Sequence, residues 1–244
     1  MTKTIFTLIG KRNLTPDICE LRLLGDTSAF TAPGQFLNIE LEGLFLRRPI
    51  SVCDCEGDCL TVIVRDVGEG TRALCRAPIG TRFDALTGLG NGFDTAVHGK
   101  KTILIGGGVG TPPLYLLAKR LLQRGVSLCI ALGFSCSSDA FYIDEFSALG
   151  CPVLVSTVDG SLGEKGFVTA LAESTECDYA MCCGPEAMLR AVYNLPQLTD
   201  GQFCFEERMG CGFGACMGCT CATKYGSKRI CRDGPVLKRE EIVW

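Results

Sequence analysis

Four cysteines toward the end of the chain have the spacing of a metal-holding loop. Cys211, Cys216 and Cys219 form C-x4-C-x2-C, and Cys231 follows at a distance. Residues 207–235 read ERMGCGFGACMGCTCATKYGSKRICRDGP. The first three spacings are those of plant-type [2Fe–2S] ligation. A two-iron cluster needs four thiolates from several directions. A tight loop supplies three, and a later return of the chain supplies the fourth. Gly210, Gly212, Gly214 and Gly218 interleave the ligands. Glycine lets the backbone come close and turn its N–H groups toward sulfur. Structural zinc and disulfides are the competing uses. Zinc knuckles usually carry two C-x2-4-C pairs. Here the only close pairs are Cys216 with Cys219 and Cys219 with Cys221, so iron–sulfur is the favoured reading. Cys221 is expected to be a bystander, because the pattern is complete without it.

A second chemistry-bearing stretch is Gly106-Gly107-Gly108-Val109-Gly110-Thr111-Pro112-Pro113, after an apolar run at 102–105. A strand that ends in glycines and opens a helix presents free N–H groups to an anion, and the helix dipole adds to the attraction. A pyrophosphate fits there. The sequence departs from G-x-G-x-x-G, so the turn alone is a weak signal. Thr157-Val158-Asp159-Gly160 and Cys183-Gly184-Pro185 end later strands and could line the same crevice. Each taken alone reads as an ordinary turn. Nearer the start, Arg47-Arg48-Pro49-Ile50-Ser51 could meet a phosphate. Val64-Arg65-Asp66 with Gly70-Thr71 could hold a ring and its side chain through backbone groups. His98, the only histidine, reads as a surface or linker residue. There is no Ser-His-Asp set, carboxylate dyad or His-rich site, so an enzyme built on this chain would leave the chemistry to cofactors.

These residues need three kinds of support. Residues 1–98 read as a small antiparallel β-barrel or sandwich, with short runs (ICELRLLG, GQFLNIEL, PISVCDC, CLTVIVRDV) punctuated by Pro and Gly. One helical turn is expected at 72–76. Residues 99–201 alternate strand and helix: strands at 102–105, 128–132, 153–157 and 179–183, and helices from the glycine turn to about 124 and at 140–149, 167–173 and 186–193. That is a parallel sheet covered on both faces. A further strand is expected near 203–205. Residues 202–244 then form the cysteine segment.

Composition sets the outer limits. The 244 residues are 47% hydrophobic with a net charge of −3, so a sizeable core is expected and a nucleic-acid surface is not. Seventeen cysteines, an odd number scattered singly through apolar runs, argue for buried thiols in a reducing compartment rather than a disulfide framework. No run of eighteen apolar residues suggests a membrane span, and the start has too short an apolar core for a signal peptide. A cytoplasmic location is expected.

Together, Arg48-Pro49-Ile50-Ser51, the GGGxGxxP turn and Cys183-Gly184-Pro185 resemble the ferredoxin–NADP reductase superfamily, in this order. The CGxGACxGC…C-x-DGP ending, with Gly90-Asn91-Gly92-Phe93 and ERMGCGFGAC, narrows the resemblance to electron-transfer subunits of class 1B dihydroorotate dehydrogenase. It covers essentially the whole chain. The resemblance implies an FAD-binding barrel, with Arg48, Pro49, Ile50, Ser51, Val64, Arg65, Asp66, Gly70 and Thr71 on FAD. The family often has an aromatic residue where Val64 stands, which leaves backbone contacts there. It implies [2Fe–2S] on Cys211, Cys216, Cys219 and Cys231. It implies NAD at Gly106, Gly107, Gly108, Gly110, Thr111, Asp159, Cys183, Gly184 and Pro185. The implied partner is an FMN-containing catalytic subunit, two of each subunit, in pyrimidine (UMP) biosynthesis. Electrons would pass from that FMN through the cluster and FAD to NAD+. NAD is favoured over NADP because 135–139 carries no Arg or Lys for a 2′-phosphate and ends in Asp139. The alternatives are the same module serving another partner, such as a ferredoxin:NAD(P) transhydrogenase, or a zinc-stapled binding module.

Overall fold

The computed structural model describes residues 1–97 and 99–244; His98 lies outside the described residues. The first part is a closed barrel of six antiparallel strands: β1 (Thr2–Asn13), β2 (Ile18–Leu24), β3 (Phe36–Ile39), β4 (Arg48–Glu56), β5 (Cys59–Arg65) and β6 (Arg82–Leu89). Their order is β1-β2-β5-β4-β3-β6, and β1 also pairs with β6, which closes the barrel. Inward and outward residues alternate along β6, with Phe83, Ala85, Thr87 and Leu89 buried. Phe6 and Leu8 of β1, Leu21 and Leu23 of β2, and Val62 and Val64 of β5 fill the interior. β1 and β6 are staves that the sequence reading did not set apart. Small or polar inward residues such as Thr4, Ala85 and Thr87 blur their period of two, and only pairing reveals them. Between β5 and β6 lies α1 (Glu69–Arg76), longer than the single turn expected, with Leu74 packed into the barrel.

The second layer system is a seven-stranded sheet. Its elements are β7 (Thr102–Gly107), α2 (Pro112–Gln123), β8 (Leu128–Phe134), α3 (Ile143–Ser147), β9 (Val153–Thr157), the short β10 (Glu164–Lys165), α4 (Val168–Ser174), β11 (Tyr179–Cys183), α5 (Glu186–Tyr193) and β12 (Asp200–Cys204). The chain ends with a hairpin of β13 (Thr220–Thr223) and β14 (Gly226–Arg229), then α6 (Ile230–Asp233) and β15 (Val236–Lys238). The sheet order is β10-β9-β8-β7-β11-β12-β15, parallel throughout except for β15, which runs antiparallel at the edge. β7 sends Leu104 to the face covered by α2 and α3, and Ile103 and Ile105 to the face covered by α4 and α5. The order reverses between β7 and β11, so the crevice at their carboxyl ends is the switch point where such sheets take ligands.

α3 is shorter than the expected helix at 140–149. Tyr142 adopts φ of +65°, which breaks the helix before Ile143. The reason is tertiary: the Tyr142 hydroxyl donates to Glu20 Oε2 of the barrel at 2.6 Å. Arg12 binds both oxygens of the same Glu20. A second tie joins the barrel to the sheet, since Lys119 of α2 donates to Asp54 of β4 at 2.8 and 3.0 Å. No helix is long and apolar enough to cross a membrane among the described residues.

Candidate functional site

After Cys204 the chain leaves the sheet and forms the loop that carries three of the four cysteines. Cys211 Sγ accepts from the N–H groups of Ala215 at 3.2 Å and Cys216 at 3.4 Å. Cys216 Sγ accepts from Cys211 N at 3.4 Å. Cys219 Sγ accepts from Cys231 N at 3.4 Å, so the last cysteine returns on α6 to meet the third. The sulfurs thus gather as two pairs, Cys211 with Cys216 and Cys219 with Cys231. Burial works against ionisation of Cys211, but the N–H groups aimed at its sulfur prevail and bring the thiol down to about 6. Burial and contact with Cys219 push Cys231 up to about 12. Four thiols held as two pairs are the donor set a two-iron cluster requires, two thiolates to each iron. Cys221 stands apart on β13, half-buried beside Trp244 and Leu237 in a separate cavity.

A cavity of about 230 Å³ opens where the barrel meets the sheet. One wall is Pro49, Ile50 and Ser51 of β4 with Val64 and Arg65 of β5. Val109 of the glycine turn, Pro112 at the start of α2, and Cys204, Phe205, Glu206, Glu207 and Met209 complete the lining. Two runs that are separate in sequence therefore form one surface, because β4 and β5 pair in the barrel. Arg48 lies over α1: a Cβ on Gly70 would come 2.2 Å from its Nε. Thr71 Oγ1 accepts from the N–H groups of Val67 and Gly68 at 3.0 and 3.1 Å and fixes the start of that helix. Arg65 is aimed by Asp17, whose Oδ2 accepts from its Nε at 2.7 Å. Asp66 Oδ1 is buried and pairs with Arg72 Nε at 3.4 Å. Arg47, by contrast, turns away and pairs with Asp84 and Glu40.

The nucleotide-candidate residues all lie at or just after the carboxyl ends of parallel strands. The turn Gly108–Gly110 after β7 packs so tightly on β11 that a Cβ on Gly110 would lie 2.4 Å from Cys183 O. Gly106, Gly107, Thr111, Cys183, Gly184 and Pro185 belong to this same junction. Thr111 Oγ1 is buried there with no partner. Asp159 sits two strands away after β9, exposed, and its Oδ1 accepts from Ser161 N at 2.9 Å and Ser161 Oγ at 2.6 Å. Those bonds hold its carboxyl below the usual range. Ser161 Oγ accepts from Ser137 N, which ties this loop to the turn that contains Asp139.

Glu206 escaped the sequence reading. It borders both this cavity and the one beside Trp244. Its side chain is open to the cavities yet surrounded by protein, and that desolvation raises its carboxyl above the usual range. It directly precedes the Glu207-Arg208-Met209 stretch, and nothing local marks a residue that becomes a cavity wall only when the chain folds back.

A closed antiparallel barrel joined to a parallel α/β sheet, with a cavity at their junction, defines a protein of the ferredoxin–NADP reductase class. The sequence model for the iron-sulfur cluster binding domain of dihydroorotate dehydrogenase B matches residues 206–243. The dihydroorotate dehydrogenase B (NAD(+)) electron transfer subunit of Bacillus pumilus is 41% identical, over 99% of this chain and 98% of its own length. That of Listeria monocytogenes serovar 1/2a is 39% identical over 99% of both. The chain belongs to this family of dihydroorotate dehydrogenase B electron transfer subunits. Among solved structures, an NADH-dependent reduced ferredoxin-NADP oxidoreductase matches with a TM-score of 0.87 and 27% identity, covering 98% of this chain and 90% of that one. A ferredoxin NADP+ reductase from Neisseria gonorrhoeae shares the fold, with a TM-score of 0.70 and 17% identity over 85% of this chain and 94% of that one.

Proposed function

We propose that this chain carries electrons from the FMN of a dihydroorotate dehydrogenase catalytic subunit, through a [2Fe–2S] cluster and FAD, to NAD+, in pyrimidine biosynthesis. The observation that supports it best is the cavity bounded at once by barrel strands, glycine turn and cysteine-loop chain. When bound, FAD supplies the exchange between single electrons and hydride that nicotinamide requires. Three segments correspond to three parts of the work: 1–98 for FAD, 99–201 for the nicotinamide nucleotide and 202–244 for the cluster.

The residues divide accordingly. Cys211 and Cys216 would hold one iron, and Cys219 and Cys231 the other. Pro49, Ile50, Ser51 and Val64 form the wall for the flavin. Arg48, Arg65, Asp66, Gly70 and Thr71 at the start of α1 serve its phosphates and side chain. The N–H groups at Gly106, Gly107, Gly108 and Gly110, with the Thr111 hydroxyl, receive the pyrophosphate of NAD. Cys183, Gly184 and Pro185 bound the nicotinamide end, and Asp159 meets a free ribose hydroxyl. The cysteine loop faces the partner. Cys216 is exposed, and Phe213 and Met217 stand out beside it as apolar docking groups. The assembly contains two copies of each subunit. All seventeen cysteines are unpaired, in keeping with a cytoplasmic, reducing setting.

The deciding experiment is a visible spectrum with metal and flavin analysis of anaerobically purified protein, followed by assay with the catalytic subunit. About two irons and one FAD per chain are expected, with dihydroorotate-dependent NADH formation only in the complex. A colourless protein with one zinc would sink the reading. Cofactors present but no dihydroorotate-linked activity would assign the chain to another partner.

A further inference from the structure

Two barrel asparagines reach the cysteine segment from opposite ends. Asn38 is buried on β3 and donates from Nδ2 to the Cys211 carbonyl at 3.1 Å. Its partner across the strands is Pro49, so it stands behind the cavity wall. The loop lies on it with no room to spare: Gly212 has φ of +77°, and a Cβ there would come 2.3 Å from Asn38 Nδ2. Asn91, exposed beyond β6, donates from Nδ2 to Asp233 O at 3.0 Å and from its backbone N to Gly234 O at 2.7 Å. Its neighbour Gly90 has φ of +68°, and a Cβ there would meet Pro235 Cδ at 2.7 Å.

The first contact grips the loop of Cys211 and Cys216, and the second grips the turn behind Cys231. Asn38 Oδ1 is buried without a partner, which costs free energy that an apolar residue of similar shape would not incur. Packing alone does not account for an amide there. We propose that Asn38 and Asn91 are positioning residues that set the separation between the cysteine set and the flavin cavity, each fixing one pair of cysteines against the barrel. This rests on the FAD and cluster reading above. It also gives a role to Gly90-Asn91-Gly92-Phe93, which that reading leaves without one.

The test uses the full chain purified anaerobically with its cofactors and reduced by NADH in a stopped-flow instrument. Flavin and iron–sulfur absorbance are followed separately. Asn38→Leu and Asn91→Ala should keep iron, flavin and the NADH-to-flavin phase. Each should slow the flavin-to-cluster phase several-fold, because electron transfer weakens steeply as the flavin and the cluster move apart. Asn91→Gln, which keeps an amide donor, should recover most of the rate. Hydrogen exchange should quicken at 211–216 only in Asn38→Leu, and at 231–235 only in Asn91→Ala. Wild-type transfer rates in both variants at full cofactor content overturn the proposal, as does exchange that rises evenly through the chain. If Asn38→Leu does not fold, the exposed Asn91→Ala decides. A wild-type chain without iron or flavin sinks the cofactor reading instead, and that is known before any variant is made.

Discussion

At the scale of single residues, the cysteine loop makes a sharp distinction between near neighbours. Cys219 and Cys221 are two residues apart, yet Cys219 faces Cys231 while Cys221 faces a different cavity on the strand β13. Cys219→Ser should therefore lose the iron and the visible absorbance that comes with it. Cys221→Ser should retain both, as metal analysis of the two proteins will read. Asp17 gives a pH dependence. The Arg65 hydrogen bond, opposed in part by burial, holds its carboxyl below the usual range. A depressed carboxyl stabilises the fold fully above its unfolded value of about 4 and loses that contribution as pH falls through the lower folded value. Acid titration followed by flavin fluorescence should show Arg65 releasing its hold below about pH 4. In Asp17→Asn flavin retention should already be weaker at neutral pH, and that acid step should vanish.

At the scale of elements, the decisive contact is the one between the turn after β7 and the end of β11. The Cβ added in Gly110→Ala would lie 2.4 Å from a backbone oxygen, which cannot rotate away as a flexible side chain can. The turn must shift off β11 and open the junction with Cys183. NADH binding measured by calorimetry should weaken at least about tenfold, ~1.4 kcal/mol, while flavin content is unchanged because the barrel wall is untouched. The hairpin β13–β14 shows the complementary case. Its two strands form a ladder with each other, and the hairpin is tied to the chain after β15 through a bridge from Thr223 to Ile242 and the ion pair of Lys228 with Glu241.

At the scale of the molecule, the barrel and the sheet are joined by polar ties with little freedom. Glu20 is nearly buried and takes Arg12 on both oxygens and the Tyr142 hydroxyl on one. Tyr142→Phe should lower unfolding free energy by about 1.5–3 kcal/mol, the range for a hydrogen bond to a charged group, as denaturant unfolding will measure. It should also allow the helix at α3 to begin earlier, since the left-handed backbone at Tyr142 exists to deliver that hydroxyl. Far-ultraviolet circular dichroism would then rise slightly in helix signal even as stability falls.

Where a signal is local, the chain alone carried it. The C-x4-C-x2-C spacing, the glycine run after an apolar strand and the boundaries of β11 and α5 depend on near neighbours, and residues 179–183 and 186–193 form those elements as read. Other features arise from contacts between distant residues. Closure of the barrel needs β1 to find β6 some eighty residues away, through inward positions that include Thr and Ala. The break before α3 is imposed by a carboxylate on β2. Pro49 and Val64 share one wall because two strands pair, and Glu206 becomes part of the cavity because a loop returns. The hold of Asn38 and Asn91 on the cysteine segment spans more than 140 positions. Spacing thus determined which residues could do chemistry, and tertiary packing alone decided how far apart they stand, because separation between segments is set by hydrogen bonds and close contacts that no local pattern encodes.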